Sequence, residues 1–218
     1  MNARPHALLA ATLALAAALL IGCAQAAPAP TVAPVSGAST PGASTPAATN
    51  PCGLPPIVAP TPAPDPGYAE LDPTTGLHMT GKMQMIELDA WRLRVTGKVG
   101  KPLELTYDEL RCLPRVEASP VMTCPGFFVD EATWAGAPIA EVLALAGVQE
   151  GAERVSFVSA DQYSTSLPLE KALDRSNYLA YEWNGEPLPR LHGFPLRVVI
   201  PEAEGNQWNK WIVELQVE

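Results

Sequence analysis

Charged side chains are distributed so unevenly along the 218-residue chain that only part of it can form a folded domain. Among the first 64 residues, Arg4 is the single Lys, Arg, Asp or Glu, and the acidic residues begin at Asp65. Half of the 24 prolines lie between residues 24 and 66, among Ala, Thr, Ser and Gly. Such a composition cannot bury enough apolar surface to fold. We therefore predict a disordered, semi-stiff spacer over residues 23–66 and one folded domain over residues 67–218.

The first residues have the features of an export signal. Arg4 supplies a positive charge, and an unbroken run of Leu, Ala, Thr and Ile extends from Leu8 to Ile21. This run is shorter than the ~20 residues that a membrane-spanning helix needs. We therefore predict a cleaved signal peptide over residues 1–22 and export of the protein.

The end of the apolar run contains a second signal. The sequence from Leu20 to Cys23, LIGC, resembles the bacterial lipobox, in which the cysteine becomes the lipidated first residue of the mature protein. The resemblance implies an anchor at Cys23 that holds the protein on the extracytoplasmic face of a membrane, in the periplasm or at the cell surface. Ordinary signal cleavage near Ala26, with loss of Cys23, is the alternative.

The predicted domain is strongly acidic. Residues 65–218 contain 13 basic residues, which is the total of 14 less Arg4, and all 23 acidic residues, so the net charge of this part of the chain is about −10. Nucleic-acid binding needs clustered Lys and Arg side chains. The charge therefore argues against a nucleic-acid partner.

Short alternating and helical patterns predict an α+β domain with a mixed sheet. The capping-box pattern of Thr106 and Glu109 marks one helix start, and Pro138 fits the first turn of another. Gly/Pro-rich loops separate the elements and are expected to carry function. Strands are predicted at residues 91–95, 116–123, 154–158, 196–200 and 211–217, and helices at 106–110, 138–146 and 169–173.

The chain has four cysteines. If Cys23 is lipidated, three remain, and an odd number leaves at least one thiol free. Cys52 and Cys112 either form a disulfide or leave Cys52 free, whereas Cys124 has no evident structural role. A buried, small apolar residue is the simplest interpretation of Cys124. A Cys/His nucleophile pair with His192 lacks an evident orienting residue, and the absence of Cys-x-x-Cys argues against zinc.

Four motifs occur in a fixed order along the second half of the chain. They read VMTCPGF at Val121–Phe127, WAGAPI at Trp134–Ile139, HGFPLRVVIP at His192–Pro201 and GNQWNKWI at Gly205–Ile212. Together they resemble the molybdopterin-binding domain of the sulfite oxidase family, and the resemblance covers Trp91 to Glu218. The first resembles the family's metal-binding cysteine loop, the second its W-x-G-x-P-L helix entry, the third its HGFPLRLVVP signature and the fourth its closing G-x-x-x-x-K-W motif.

The resemblance implies a molybdenum–molybdopterin cofactor with Cys124 as the metal ligand. A soft thiolate suits this metal, which would keep the thiol ionised. Arg197 and Lys210 suit the pterin phosphate, Arg as a planar fork and Lys as a point charge, and Gly205 allows close approach of the backbone. The remaining implied contacts are those of Ser159, His192, Trp208 and Asn209.

Simpler interpretations of the single residues stay open. Arg197 could pair with Glu186, Lys210 could be a solvated surface residue, and His192 could be an ordinary loop residue. Tryptophans of these motifs are more often core residues. Two further candidates, for the substrate mouth, are Asp161 and Tyr163.

The sequence differs from the family's pattern in several places. No clear counterpart of the family's N-terminal cofactor contacts is found between Tyr68 and Ala90, and Glu202 and Glu204 make one loop acidic. No Cys-x-x-Cys-His haem motif is present, so electrons are expected to pass to a separate partner.

The resemblance predicts an exported oxidoreductase that transfers an oxygen atom to or from a small substrate resembling sulfite or a sulfoxide. A surface-tethered binding or scaffold module of the same fold, without the metal, is the alternative. Thiol-redox chemistry at Cys124 is a third hypothesis.

Overall fold

Two five-stranded sheets form the framework of residues 51–218, which are the residues that the computed structural model describes. The predicted signal peptide and the lipidation of Cys23 lie outside these residues. No helix between residues 51 and 218 has the length and apolarity needed to cross a bilayer.

The elements are short, and three α-helices interrupt fourteen strands. The strands are β1 (Leu71–Asp72), β2 (Leu77–His78), β3 (Leu93–Gly97), β4 (Leu103–Leu105), β5 (Val116–Ala118), β6 (Val121–Cys124), β7 (Phe128–Glu131), β8 (Trp134–Pro138), β9 (Arg154–Ser159), β10 (Ser164–Pro168), β11 (Tyr178–Trp183), β12 (Glu186–Pro187), β13 (Arg197–Val199) and β14 (Ile212–Val217). The helices are α1 (Tyr107–Arg111), α2 (Ile139–Ala146) and α3 (Leu169–Ala172), and 3-10 turns span Arg190–His192 and Gly205–Gln207.

The first sheet has the order β10-β9-β14-β3-β4, with β14 at its centre. β14 pairs antiparallel with β9 and parallel with β3. The sheet thus contains both parallel and antiparallel pairs, and the predicted α+β class with a mixed sheet is confirmed. β3 ends beside β14 at Gly97, whose φ is +87°, and a side chain there would overlap the carbonyl oxygen of Val217.

The second sheet has the order β12-β11-β8-β5, and β13 also pairs with β11. All five residues of β8 are buried, and a Cβ at Gly136 would overlap the backbone of Leu179 in β11. Only glycine allows the two strands to approach this closely. α2 follows β8 directly and buries Ile139, Val142 and Leu143 in the core.

Several predicted elements occur where the sequence indicates them. Thr106 caps α1, and the capping box with Glu109 is complete in both directions. α2 and α3 begin within one residue of the predicted positions and end at or within one residue of them.

The predicted strand 116–123 was wrong in one respect. It consists of two strands, β5 and β6, which belong to different sheets and are separated by Ser119 and Pro120. Proline cannot donate a ladder hydrogen bond, so the chain leaves one sheet there and starts the next hairpin.

An N-terminal strap, defined as residues 51–66, lies against the domain without helix or strand. A disulfide joins Cys52 to Cys112 at the end of α1. Arg111 donates to the carbonyl of Pro55 over 3.0 Å, and Arg190 donates to that of Pro60 over 2.7 Å. The strap is the last part of the predicted spacer, and the domain boundary at residue 66 stays a prediction.

Candidate functional site

Four segments of the chain surround a cavity of about 470 Å³. They are residues 68–81, the turn of the β6–β7 hairpin, the β9–β10 connection and the stretch 204–211. The hairpin turns one face inward, and Met122, Phe128 and Asp130 on that face are buried. Cys124 lies on the same face and lines the cavity wall.

Cys124 is the free thiol of residues 51–218 and is half-buried. Burial raises the pKa of this thiol, and the carboxylates of Asp130 and Glu204 raise it further. The positive charges of Arg197 and Lys210 oppose this shift without cancelling it. Without a metal the sulfur is therefore protonated at neutral pH, which disfavours the hypothesis of thiol-redox chemistry.

Gly205 faces Cys124 across the cavity wall. A Cβ at position 205 would overlap the Cys124 Sγ and would lie 3.1 Å from a carbon of Met122. The glycine therefore leaves the thiol accessible, and a larger residue would compete with it for the same space.

Arg197, in β13, is 3% exposed. Its Nη1 donates to the carbonyl of His192 over 3.2 Å, and its guanidinium lies 4.3 Å from the centroid of the Trp134 ring. Its Nε is buried and has no hydrogen-bond partner among residues 51–218. Burial lowers the pKa of Arg197 to about 10. The predicted alternative, a pair with Glu186, is not formed, since Glu186 is exposed whereas Arg197 is buried, and the two lie opposite different residues of β11.

Lys210 is 9% exposed and is therefore not a solvated surface residue. Its ammonium group donates to the carbonyl of Leu191 over 3.0 Å and to that of Thr80. Burial and the nearby Arg197 lower the pKa of Lys210 to about 7. Holding the lysine charged here requires a negative partner.

His192 is 1% exposed. Its Nε2 lies 3.0 Å from a carboxylate oxygen of Asp72 and 3.0 Å from the hydroxyl oxygen of Thr75. A carboxylate only accepts, so Nε2 donates to Asp72. Burial and the charge of Lys210 lower the pKa of His192 to about 4, despite the opposing effect of Asp72. The ring is therefore neutral at pH 7.

Neither Arg197 nor Lys210 has a carboxylate as a direct partner within residues 51–218. Among the described residues, no carboxylate oxygen forms an ion pair with Arg197 or Lys210 within 4.0 Å. The nearby Asp130 instead accepts from the backbone of His78 over 2.9 Å and lies 2.6 Å from its Nδ1. Buried cations without counterions are costly, and an anion such as a phosphate group would compensate them. This arrangement fits a phosphorylated cofactor.

Three other predicted contacts, Ser159, Trp208 and Asn209, are buried beside the same cavity. Asn209 donates to the carbonyl of Phe157 over 3.1 Å and accepts from Thr165 over 2.7 Å, so its side chain has a fixed orientation.

A small adjoining cavity of about 20 Å³ is lined by both His192 and Arg197. Cys124, Gly205 and Lys210 line both cavities. The structure therefore brings together all eight predicted site residues of the folded domain. Asp161 and Tyr163 also line the larger cavity.

The sequence did not indicate the contribution of residues 68–81. No counterpart of the family's N-terminal contacts was expected there, yet this segment forms part of the cavity wall. Its hydrogen bonds join residues far apart in the chain, and its two strands are two residues long, so no periodic pattern marks it. The residues missed are Tyr68, Asp72, His78 and Thr80, with Phe128 and Asp130 of the facing hairpin.

Comparisons with known proteins agree with this geometry. The family model "Oxidoreductase molybdopterin binding domain" matches residues 80–218. The chain is 36% identical over 163 residues to mitochondrial sulfite oxidase of Homo sapiens, covering 61% of this chain and 30% of that protein. It is 34% identical over 131 residues to the uncharacterized oxidoreductase YuiH of Bacillus subtilis, covering 60% and 66% of the two chains. The chain thus spans less than a third of the human relative.

A solved structure shows the same relationship. The sulfane dehydrogenase SoxCD from Paracoccus pantotrophus has a TM-score of 0.59 and 29% identity, over 62% of this chain and 40% of that one. The fold predicted from the four motifs is confirmed by this likeness.

Proposed function

The chain belongs to the oxidoreductase molybdopterin-binding domain family, and from this premise we propose that it is an exported molybdenum-cofactor-dependent enzyme that transfers an oxygen atom to or from a small substrate. The proposed substrate resembles sulfite or a sulfoxide. The observation that carries the proposal is the pair of buried cations, Arg197 and Lys210, which lack a carboxylate partner and lie beside the half-buried thiol of Cys124.

The residues have complementary roles in holding the cofactor. Cys124 would ligate the metal as a thiolate, and Arg197 and Lys210 would bind the phosphate of the pterin. His192, which Asp72 holds in one tautomer, and the polar side chains at Ser159 and Asn209 would orient the pterin. Gly205 leaves the thiol free of steric competition. When bound, the cofactor supplies the redox-active metal for oxygen-atom transfer, and the protein supplies ligation, orientation and electrostatics.

Metal binding would change the protonation of this site. The pKa of the Cys124 thiol is raised in the metal-free domain, so binding requires release of its proton. The phosphate would in turn favour the charged form of Lys210. The site therefore exchanges protons with solvent as the cofactor enters.

The cellular setting is part of the same proposal. The Cys52–Cys112 disulfide is typical of an oxidising compartment outside the cytosol. Cys23 would carry a lipid that anchors the protein to the extracytoplasmic face of a membrane. Electrons would be exchanged with a separate electron-transfer protein.

A binding module that has lost the metal is the second candidate. The observation favouring it is Glu204, which lines the cavity and raises the pKa of the Cys124 thiol. A carboxylate beside a metal-ligating thiol opposes formation of the thiolate.

Metal content separates the two candidates. The full chain is purified from a host that makes the cofactor, and molybdenum and pterin are measured beside the Cys124→Ala variant. We expect about one molybdenum per wild-type chain and almost none in the variant, with unchanged circular dichroism. A well-folded wild-type chain without molybdenum would favour the binding module.

A further inference from the structure

The charges around the larger cavity are separated by depth. Glu204 is exposed and Asp161 is half-buried, whereas Lys210 is buried. Of the described residues that line this cavity, Lys210 is the single basic one. A molecule that enters from solvent therefore meets carboxylates before it meets a cation.

Aromatic side chains surround the same opening. Tyr68 and Phe127 are each 69% exposed, and their rings meet edge to face with centroids 6.4 Å apart. Tyr163 is 46% exposed, and its hydroxyl donates to the carbonyl of Asn206 over 2.8 Å. Exposed aromatic residues clustered at a cavity usually mark a binding surface for apolar groups.

The cations of the site are not available to a substrate that approaches through this mouth. Arg197 lines the small adjoining cavity and does not line the larger one. Lys210 is held by two backbone carbonyls and, under the proposed function, binds the cofactor. A substrate anion would therefore find no free cation among the described residues that line this cavity.

The energetic consequence favours one class of substrate. Like charges repel each other more strongly at a protein surface than in bulk water, because the effective dielectric constant is lower there. Such repulsion from Glu204 and Asp161 acts against a small oxyanion. A neutral molecule avoids it, and an aryl, alkyl or cationic group gains contact with Phe127 and Tyr68.

We propose that this mouth selects a neutral or positively charged organic substrate with an aryl or alkyl group, such as an organic sulfoxide or the corresponding thioether, over inorganic oxyanions such as sulfite. Glu204 and Asp161 act as specificity-determining residues against anions, and Phe127 acts as one for the organic group. The proposal deepens the proposed function and rests on it.

With a sulfoxide as substrate, the reaction is a two-electron reduction to the thioether. Two electrons from the electron-transfer partner and two protons from solvent reduce the sulfur, the sulfur–oxygen bond breaks, and the oxygen leaves as water. The thioether reaction is the reverse, with the electrons passing to the partner. In an assay, reduced methyl viologen replaces the partner as the electron donor.

Equilibrium binding tests the selectivity without depending on the direction of turnover. The full chain is used, and its molybdenum content is measured first. Trp208 and Trp211 line the cavity, so a change in their fluorescence reports the binding of a ligand there. We expect methyl phenyl sulfoxide to bind at least about tenfold tighter than sulfate, used as an unreactive oxyanion, at low ionic strength. Equal or tighter binding of sulfate by molybdenum-loaded protein would overturn the proposal. A chain without molybdenum would instead count against the proposed function.

Charge variants locate the selectivity. Glu204→Gln is expected to tighten sulfate binding about fivefold at low salt, an effect that salt weakens, and to leave sulfoxide binding unchanged. Glu202→Gln is the matched control, because Glu202 lies in the same loop, pairs with Lys171 and does not line the cavity. Equal effects of the two variants would show a general charge effect and would overturn the assignment of Glu204.

Phe127→Ala tests the aromatic contact separately. Its side chain is largely exposed, so the fold should survive the change. We expect sulfoxide binding to weaken about tenfold and sulfate binding to stay within twofold. Unchanged sulfoxide binding would remove Phe127 from the proposal.

Discussion

The Sγ of Cys124 occupies space that a β-carbon on residue 205 would need, so the glycine and the cysteine are sterically coupled. The two residues come from different motifs, 81 positions apart by the difference of their numbers. The proposed role of Cys124 as a metal ligand needs a defined rotamer and an open approach to the sulfur, and both depend on the missing side chain of Gly205.

Gly205→Ala should therefore impair cofactor binding while the fold survives. The added methyl group would displace the thiol, and comparable changes around metal ligands lower metal affinity by about 10- to 100-fold. Molybdenum content and the midpoint of thermal unfolding measure the two effects. Gly100→Ala is the control, since its Cβ would make ordinary contacts. Full molybdenum content in Gly205→Ala would contradict the steric coupling.

Alkylation of Cys124 should be slow at neutral pH in the cofactor-free protein. Burial and two carboxylates raise the pKa of this thiol above its ordinary value, so the thiolate fraction is small at pH 7. We expect the rate of iodoacetamide labelling, followed by mass spectrometry of the Cys124 peptide, to keep rising above pH 9, and bound cofactor to protect the thiol. A rate that reaches its plateau below pH 8 would contradict the assigned environment.

The stability of the cofactor-free protein should rise from pH 7 to pH 9. Burial lowers the pKa of Lys210 from 10.5 to about 7, so across this window the unfolded chain binds a proton that the folded chain lacks. Each such proton adds up to about 1.4 kcal/mol of stability per pH unit. Unfolding midpoints between pH 7 and 9 measure this slope. Lys210→Met should flatten it, and an identical slope in the variant would contradict the prediction.

Asp72→Ala should weaken the packing of residues 68–81 against the rest of the domain, which Asp72 contacts through His192. The Asp72 carboxylate is 2% exposed and accepts from His192, Thr75 and the backbone of Thr74. Each buried group left without a partner costs about 1–3 kcal/mol. We expect a loss of this size in urea unfolding, together with lower cofactor retention. Asp89→Ala, at an exposed site, should change stability by less than about 0.5 kcal/mol.

Removal of the disulfide should loosen the strap. The Cys52–Cys112 bond closes a loop with a sequence separation of 60 residues, and loss of a native disulfide typically costs about 2–5 kcal/mol. We expect the Cys52→Ser, Cys112→Ser variant to lose stability in this range. Thermolysin should also cleave the double variant near Ile57 faster than it cleaves the oxidised protein. An unchanged cleavage rate would mean that the hydrogen bonds of Arg111 and Arg190 are sufficient to hold the strap against the domain.

The sequence predicted which candidate site residues lie together better than it predicted the architecture around them. Cys124, Arg197 and Lys210 lie in motifs whose order and spacing are specific, so they could be assigned before their distances were known. The capping box at Thr106 was equally reliable, because its signal lies within four residues.

Other features depend on tertiary packing and have no local signal. β8 is buried at all five positions and contains Gly and Pro, so it lacks the alternation of a half-buried strand. Asp72 and Asp130 have no distinguishing neighbours in the sequence, and their partners, His192 and His78, lie 120 and 52 residues away. The burial that lowers the pKa of Lys210 likewise exists only once the chain is folded.

The central position of β14 also determines when, during synthesis, the first sheet can be completed. This strand fills the gap between β9 and β3, although it is the last of the described strands to be synthesised. While Ile212–Val217 remain within the ribosome, a nascent chain has neither a continuous first sheet nor a settled position for Lys210. Loading of the proposed cofactor would therefore follow release of this strand from the ribosome, and any factor that keeps the emerging chain unfolded until then would also keep it without cofactor.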